Sequence, residues 1–274
     1  MLGGVAAGAF GSLLGLGGGL LIVPLLTFGF GLPLREAVGV SLICVIMTSS
    51  AAAGVYLERH VANLRLGMAL ELFTAIGALI GASIAFLLDE RLLSLLFGGL
   101  LLYVAVTMAR AREVEPTLIS DDDESVDSSG LAPSTPVLTT LDRLSGPGYR
   151  VRNLGRGIVG STGAGVVSAL LGIGGGIIKV PVMHLSMGVP LRVATATSNM
   201  MIGITASASA IIYLIRGGID PYVAGPTAIG VFLGATAGSR LAHRVNLRYL
   251  RILFVVVLVW TGIQMLLRAL QVGS

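Results

Sequence analysis

Two glycine-rich stretches are the first residues in this chain whose spacing suggests chemistry. Gly15-Leu16-Gly17-Gly18-Gly19 and Gly172-Ile173-Gly174-Gly175-Gly176 are each followed by a Val-Pro pair, Val23-Pro24 and Val180-Pro181. Each run lies inside an apolar segment, 3–31 or 158–187. At membrane depth a glycine run leaves backbone amides without helical partners, and bare amides cannot face lipid, so they must be buried in protein or line a wet cavity. Where such a break opens a new helix, several N–H donors converge with the positive helix end behind them, which is an anion-binding arrangement. Glycine suits it by allowing unusual dihedrals and close backbone approach to a ligand. Close helix packing through small residues is the competing explanation. The doubling of the motif favours a site built on Gly17, Gly18, Gly19, Gly174, Gly175 and Gly176.

The segment after each run supplies hydroxyls. Ser41 and Thr48 are seven apart, on one helical face, and they match Ser198 and Thr205 in the second copy. The second copy adds Thr195, Thr197 and Asn199, where the first has Val38, Val40 and Leu42. Neutral donors of this kind can coordinate oxyanion oxygens without a full counter-charge. They could equally bond their own helix carbonyls or glue helices together.

Lys179 is the only lysine and follows Gly176 by three residues, where the first copy has Ile22. A cation at this depth would attract an anion, or would snorkel to the head groups. Glu71 is the one acid well inside an apolar span and has no acidic counterpart in the second copy. It could carry a coupling proton or simply lie near the interface. The three histidines, His60, His184 and His243, are far apart, with no Cys or acid at metal-ligand spacing. The sequence therefore gives no metal site, no cofactor and no enzyme constellation, and neither glycine run has the ending of a nucleotide loop. Cys44, the single cysteine, sits in an apolar run and reads as a buried small residue.

Composition sets the class that holds these residues. Only 12% of the 274 residues are charged and 54% are hydrophobic, against roughly 25% charged in soluble domains. The apolar runs are long rather than alternating, so the expectation is an all-α, multi-pass membrane protein. The formal charge of +4 is unevenly placed: segment 113–150 carries −6, including Asp121-Asp122-Asp123-Glu124, and the remainder +10. That acidic, Ser/Pro/Gly-rich segment reads as a flexible linker. The arginines are scattered singly at span ends and form no patch, so nucleic acid is not an expected partner. The first 25 residues lack a charged start and a small-residue cleavage site, so no cleaved signal peptide is expected.

Shifting the sequence by 157 residues aligns 15–56 with 172–213, identical at 17 of 42 positions without a gap. The chain is thus read as two homologous repeats, 1–112 and 151–274, joined by the linker 113–150. Each repeat has three clear spans: 36–57, 67–88 and 91–110, then 191–215, 221–242 and 249–268. The glycine segments are too long for one upright span and too short for two, so each is a broken helix or a re-entrant hairpin. Eight full crossings would divide the arginines almost evenly, whereas hairpins put 13 on one side and 4 on the other. The positive-inside rule therefore favours hairpins, a cytoplasmic linker, outside termini and repeats inverted relative to each other.

At these residues the sequence resembles the TauE/SafE family, the sulfite and organosulfonate exporter group. The resemblance rests on the doubled Gly-x-Gly-Gly-Gly…Val-Pro motif, on Ala-Val-Gly-Val-Ser (37–41) and on Ala-Thr-Ala-Thr-Ser-Asn (194–199). Thr197-Ser198 matches the family's common pattern and Val40-Ser41 departs from it. The resemblance implies a secondary permease, acting by alternating access, that carries sulfite, sulfoacetate or taurine-related sulfonates outward across an inner membrane. Its partners are the lipid bilayer and a small anion, and its glycine-rich faces allow a homodimer. The readings from other classes are a passive anion channel and a non-transporting scaffold that recruits a partner through its linker. Tags on the two termini should be accessible only from outside intact cells; a cytoplasmic C-terminus would overturn the hairpin topology.

Overall fold

The computed structural model describes residues 2–13, 19–58, 62–110, 145, 149, 151–241 and 247–271, and those residues are almost wholly helical. The expected linker thus lies, apart from Ser145 and Tyr149, outside the described residues. In chain order the helices are α1 (Leu2–Leu13), α2 (Gly19–Pro24), α3 (Leu34–Glu58), α4 (Leu64–Ala85), α5 (Glu90–Arg110), α6 (Leu154–Leu171), α7 (Gly176–Pro181), α8 (Leu191–Ile215), α9 (Pro221–Leu241) and α10 (Leu247–Gln271). Five of them, α4, α5, α6, α8 and α10, are long and apolar enough to cross a membrane.

Six of the long helices, α3, α4, α5, α8, α9 and α10, fall within about three residues of the spans read from the sequence. The largest offset is α4, which begins at Leu64 rather than at 67. Its start is set by Asn63, whose side chain accepts from the Leu66 N–H at 3.0 Å and so satisfies one of the orphan donors of the first turn. At the other end of α4, Arg35 caps free carbonyls, with Nε on Ala85 O (3.2 Å) and Nη2 on Leu88 O (2.8 Å).

Both glycine segments are bent by the same device. Pro24 and Pro181 lack the N–H that would continue the helix, and a wider π-helical turn follows each, Leu25–Gly29 and Val182–Ser186. In the second repeat the chain reverses at the glycine turn, because Gly172, Gly174 and Gly175 all have positive φ (69°, 81° and 74°). The returning arm lies along α6: a methyl at Gly160 would meet the Val182 side chain, and one at Gly157 the Met187 sulfur. The base is tied by Arg152 N–H to Met187 O (3.0 Å) and by Asn153 Nδ2 to Ser186 O (3.3 Å). Gly3 faces Leu25 in the first repeat, which is the Gly160–Val182 contact shifted by 157.

Packing between the repeats follows the same shift. α1 lies on α9 as α6 lies on α4, α3 lies on α8, and α5 lies on α10. The first two contacts depend on backbone approaching backbone. A methyl at Gly165 would fall on Thr74 O and one at Gly77 on Thr162 O; the shifted pairs are Gly8 with Val231 O and Gly234 with Val5 O. α3 and α8 run antiparallel, with Gly39 against Gly218 near one end and Ser49 Oγ donating to Asn199 O (2.6 Å) toward the other.

These contacts separate structural glycines from permissive ones. Gly165→Ala drives a methyl into the α4 backbone and should cost about 1–3 kcal/mol. Gly163, with nothing within 4 Å of its Cβ position, should accept alanine without loss. Thermal denaturation in detergent checks this, and equal melting temperatures for the two variants would refute the packing account.

Candidate functional site

Gly19 meets the second glycine turn in the interior. Ser41, fully buried on α3, donates its hydroxyl proton to Gly172 O at 2.8 Å, with Gly19 O at 3.2 Å on its other side. A methyl at Gly19 would collide with Gly172 O, and Gly174 lies between Val45 of α3 and Ile202 of α8. Ser41 of the first repeat's α3 thus ties Gly19 to the second glycine turn. Gly17 and Gly18 lie outside the described residues.

At the second turn the backbone swings from Gly174 and Gly175 into α7, whose first residue is Gly176. Two hydroxyls flank this mouth. The Cβ position of Gly175 lies 3.5 Å from Ser168 Oγ, and that of Gly176 lies 3.6 Å from Ser198 Oγ. Both serines are buried, and neither oxygen has a hydrogen-bond partner. Buried hydroxyls are normally paired, so two orphans at one helix mouth are a vacant set of polar groups. Ser198 was legible in the sequence; Ser168 was not, because its counterpart is Gly11 and the repeat comparison passes over it.

The other sequence candidates take different positions. Thr197 Oγ1 accepts the Asn63 N–H at 2.9 Å, which pins α8 to the start of α4. Thr48 Oγ1 bonds Val45 O within its own helix at 3.0 Å, and Asn199 contributes its carbonyl to Ser49. Thr195 bonds back to Leu191 O at 2.9 Å on an exposed face.

Lys179 does not reach for the membrane surface. It is 1% exposed, and its Nζ donates to Glu71 Oε2 at 3.0 Å and to Thr205 Oγ1 at 2.7 Å. Thr205 passes its own proton to Glu71 Oε1 at 2.6 Å, which closes a ring of three groups. Glu71 is the eighth residue of α4 and, at 4% exposed, is buried within the protein. The pair links α7 of the second repeat to α4 of the first. A signal for it did exist in the sequence: the one lysine and the one in-span acid both lack a counterpart, facing Ile22 and Ala228 across the repeat. Beside Glu71 a cavity of about 30 Å³, lined by Asn63, Gly67, Thr197 and Met201 among others, has room for a water or two.

Among the described residues no group of His, Cys, Asp or Glu could hold a metal ion. Residues 1–265 match the family described as "Sulfite exporter TauE/SafE". The chain belongs to that family. It is similar to the probable membrane transporter protein YunE of Bacillus subtilis, 25% identical over 96% of this chain and 94% of that one. A probable membrane transporter protein of Methanocaldococcus jannaschii is 26% identical over 96% and 93% of the two chains. TauE/SafE family protein 6 of Arabidopsis thaliana is 33% identical over 36% of this chain and 23% of its own. No solved structure matches at a significant level. The TauE/SafE chain is therefore a multi-pass membrane transporter and not an enzyme.

A buried charge left without its partner is costly, so the ring should reveal itself in stability. Lys179→Met or Glu71→Leu alone should each destabilise the protein by about 3–5 kcal/mol, and the double variant should recover most of that loss. A double-mutant cycle on detergent-solubilised protein measures this, and simple additivity would rule out the coupling.

Proposed function

We propose that this transporter exports small sulfur-containing oxyanions or organosulfonates across an inner (plasma) membrane, by alternating access around a site where the two glycine turns meet. The observation that carries the reading is the vacant polar set at the mouth of α7. Ser168 and Ser198 hydroxyls without partners flank Gly175 and Gly176, and helix amides with their dipole point the same way. A tetrahedral oxyanion presents several acceptor oxygens to such donors. Lys179, one turn into the same helix, supplies the charge.

Inversion of the repeats in the bilayer is part of the proposal. It is supported by the antiparallel course of α3 and α8, and by the exchange of α1 and α6 onto the other repeat's helices. Two inverted halves around broken segments form an architecture in which rocking one half against the other opens the site to either side. The sulfur-containing cargo rests on the family description.

Purified protein in proteoliposomes should carry labelled sulfite and methanesulfonate with a rate that saturates. Ser198→Ala should lower that rate by about ten- to hundredfold, the worth of one hydrogen bond to a charged ligand, with the melting temperature unchanged. A non-saturating rate would point to a channel, and no flux of either anion would overturn the cargo. Full flux in both Ser198→Ala and Ser168→Ala would move the site elsewhere.

A further inference from the structure

We infer that Glu71 is a proton carrier that must be protonated before an anion can engage Lys179, so that one monoanion and one proton move together and the cycle is electroneutral. The inference rests on the proposed anion site and adds the coupling to it. It starts from the ring itself: Lys179 Nζ is held by Glu71 Oε2 at 3.0 Å and by Thr205 Oγ1 at 2.7 Å. In this state the buried charges cancel. An anion added to the closed pair would leave one uncompensated negative charge in the interior, which is strongly unfavourable. A proton on Glu71 removes that excess: lysine and anion then cancel, just as lysine and carboxylate did.

The geometry gives each participant a path. Lys179 N–H bonds Gly175 O at 3.0 Å, so the lysine lies one turn beyond the glycine mouth on the same helical face. Nζ now reaches Thr205, two turns of α8 beyond Ser198. To meet an anion at the glycine mouth, the ammonium must leave Glu71 and swing back toward the N-terminus of its helix, the direction in which helix side chains lean. Glu71 itself lines the 30 Å³ cavity beside Asn63 and Thr197, where a water can deliver the proton. Among the described side chains, Lys179 is the charged group that pairs with Glu71. α8 brings Thr205, and the only titratable residue of α6, Arg156, is exposed. The carboxylate therefore has a single charged partner, and whatever takes that partner must take its place.

Methanesulfonate is the probe, because it stays a monoanion at all working pH values. Proteoliposomes carry an internal pH dye, and the membrane potential is clamped with potassium and valinomycin. In the native protein, methanesulfonate efflux should carry protons one for one, and a clamped potential should barely change its rate. An electrogenic cycle would instead respond by up to about fiftyfold to 100 mV. Glu71→Gln, nearly isosteric, should lose the response to a pH gradient and make net efflux potential-dependent. Anion–anion exchange, which returns the loaded carrier both ways, should fall far less than net efflux. If the native protein carries methanesulfonate without protons, or if Glu71→Gln stays proton-driven, the coupling is wrong and the anion site stands. If the native protein carries no methanesulfonate, the organosulfonate reading fails together with the coupling.

Discussion

Backbone groups at membrane depth must find partners inside the protein. The second glycine segment breaks its helix in the interior between α6 and α7, and such a break exposes carbonyls and amides that lipid cannot satisfy. Ser41 resolves part of this by lying between Gly172 O and Gly19 O. With the tips joined, α3 and α8 are fixed against each other, the following helices pack outward from them, and α1 and α6 close on the far repeat through glycine–carbonyl contacts. Val45, Ile202 and Ser198, which surround the second turn, are the inward faces of that central pair.

The repeats are alike in backbone and unlike in charge. Ser41 and Ser198 occupy equivalent positions, yet the first is saturated by two carbonyls and the second has no partner. Lys179 faces Ile22 across the repeat and Glu71 faces Ala228. Ser41 thus serves as a brace, and the second turn keeps unpartnered hydroxyls with a charged pair one turn away. The differences between the copies lie in their polar groups, on one side of an otherwise shared frame.

A buried Lys–Glu pair contributes little net stability over apolar residues of similar size. What it does supply is a link between the repeats, joining α7 of the second to α4 of the first. A threonine that both accepts from Lys179 and donates to Glu71 lets the pair share its hydrogen bonds.

The sequence by itself determined the class, six of the long helices and the repeat. Each follows from local quantities: apolar run length, charge scarcity, the shift of 157 residues and the Gly…Pro breaks. It also offered Lys179, Glu71, Ser198 and the second glycine turn as candidates, alongside Gly17, Gly18, Gly19, Ser41, Thr48, Thr197 and Asn199. It left open whether Lys179 snorkels and whether Glu71 is interfacial, since neither question can be answered along one helix. Only the tertiary structure brought the two together across 108 positions of chain, turned Ser41 into a brace, and left Ser168 and Ser198 unpaired. The physical reason is that hydrogen-bond satisfaction and charge pairing depend on which helices become neighbours. Those neighbours were chosen by glycines that let backbones touch between repeats, a long-range outcome that no local pattern encodes.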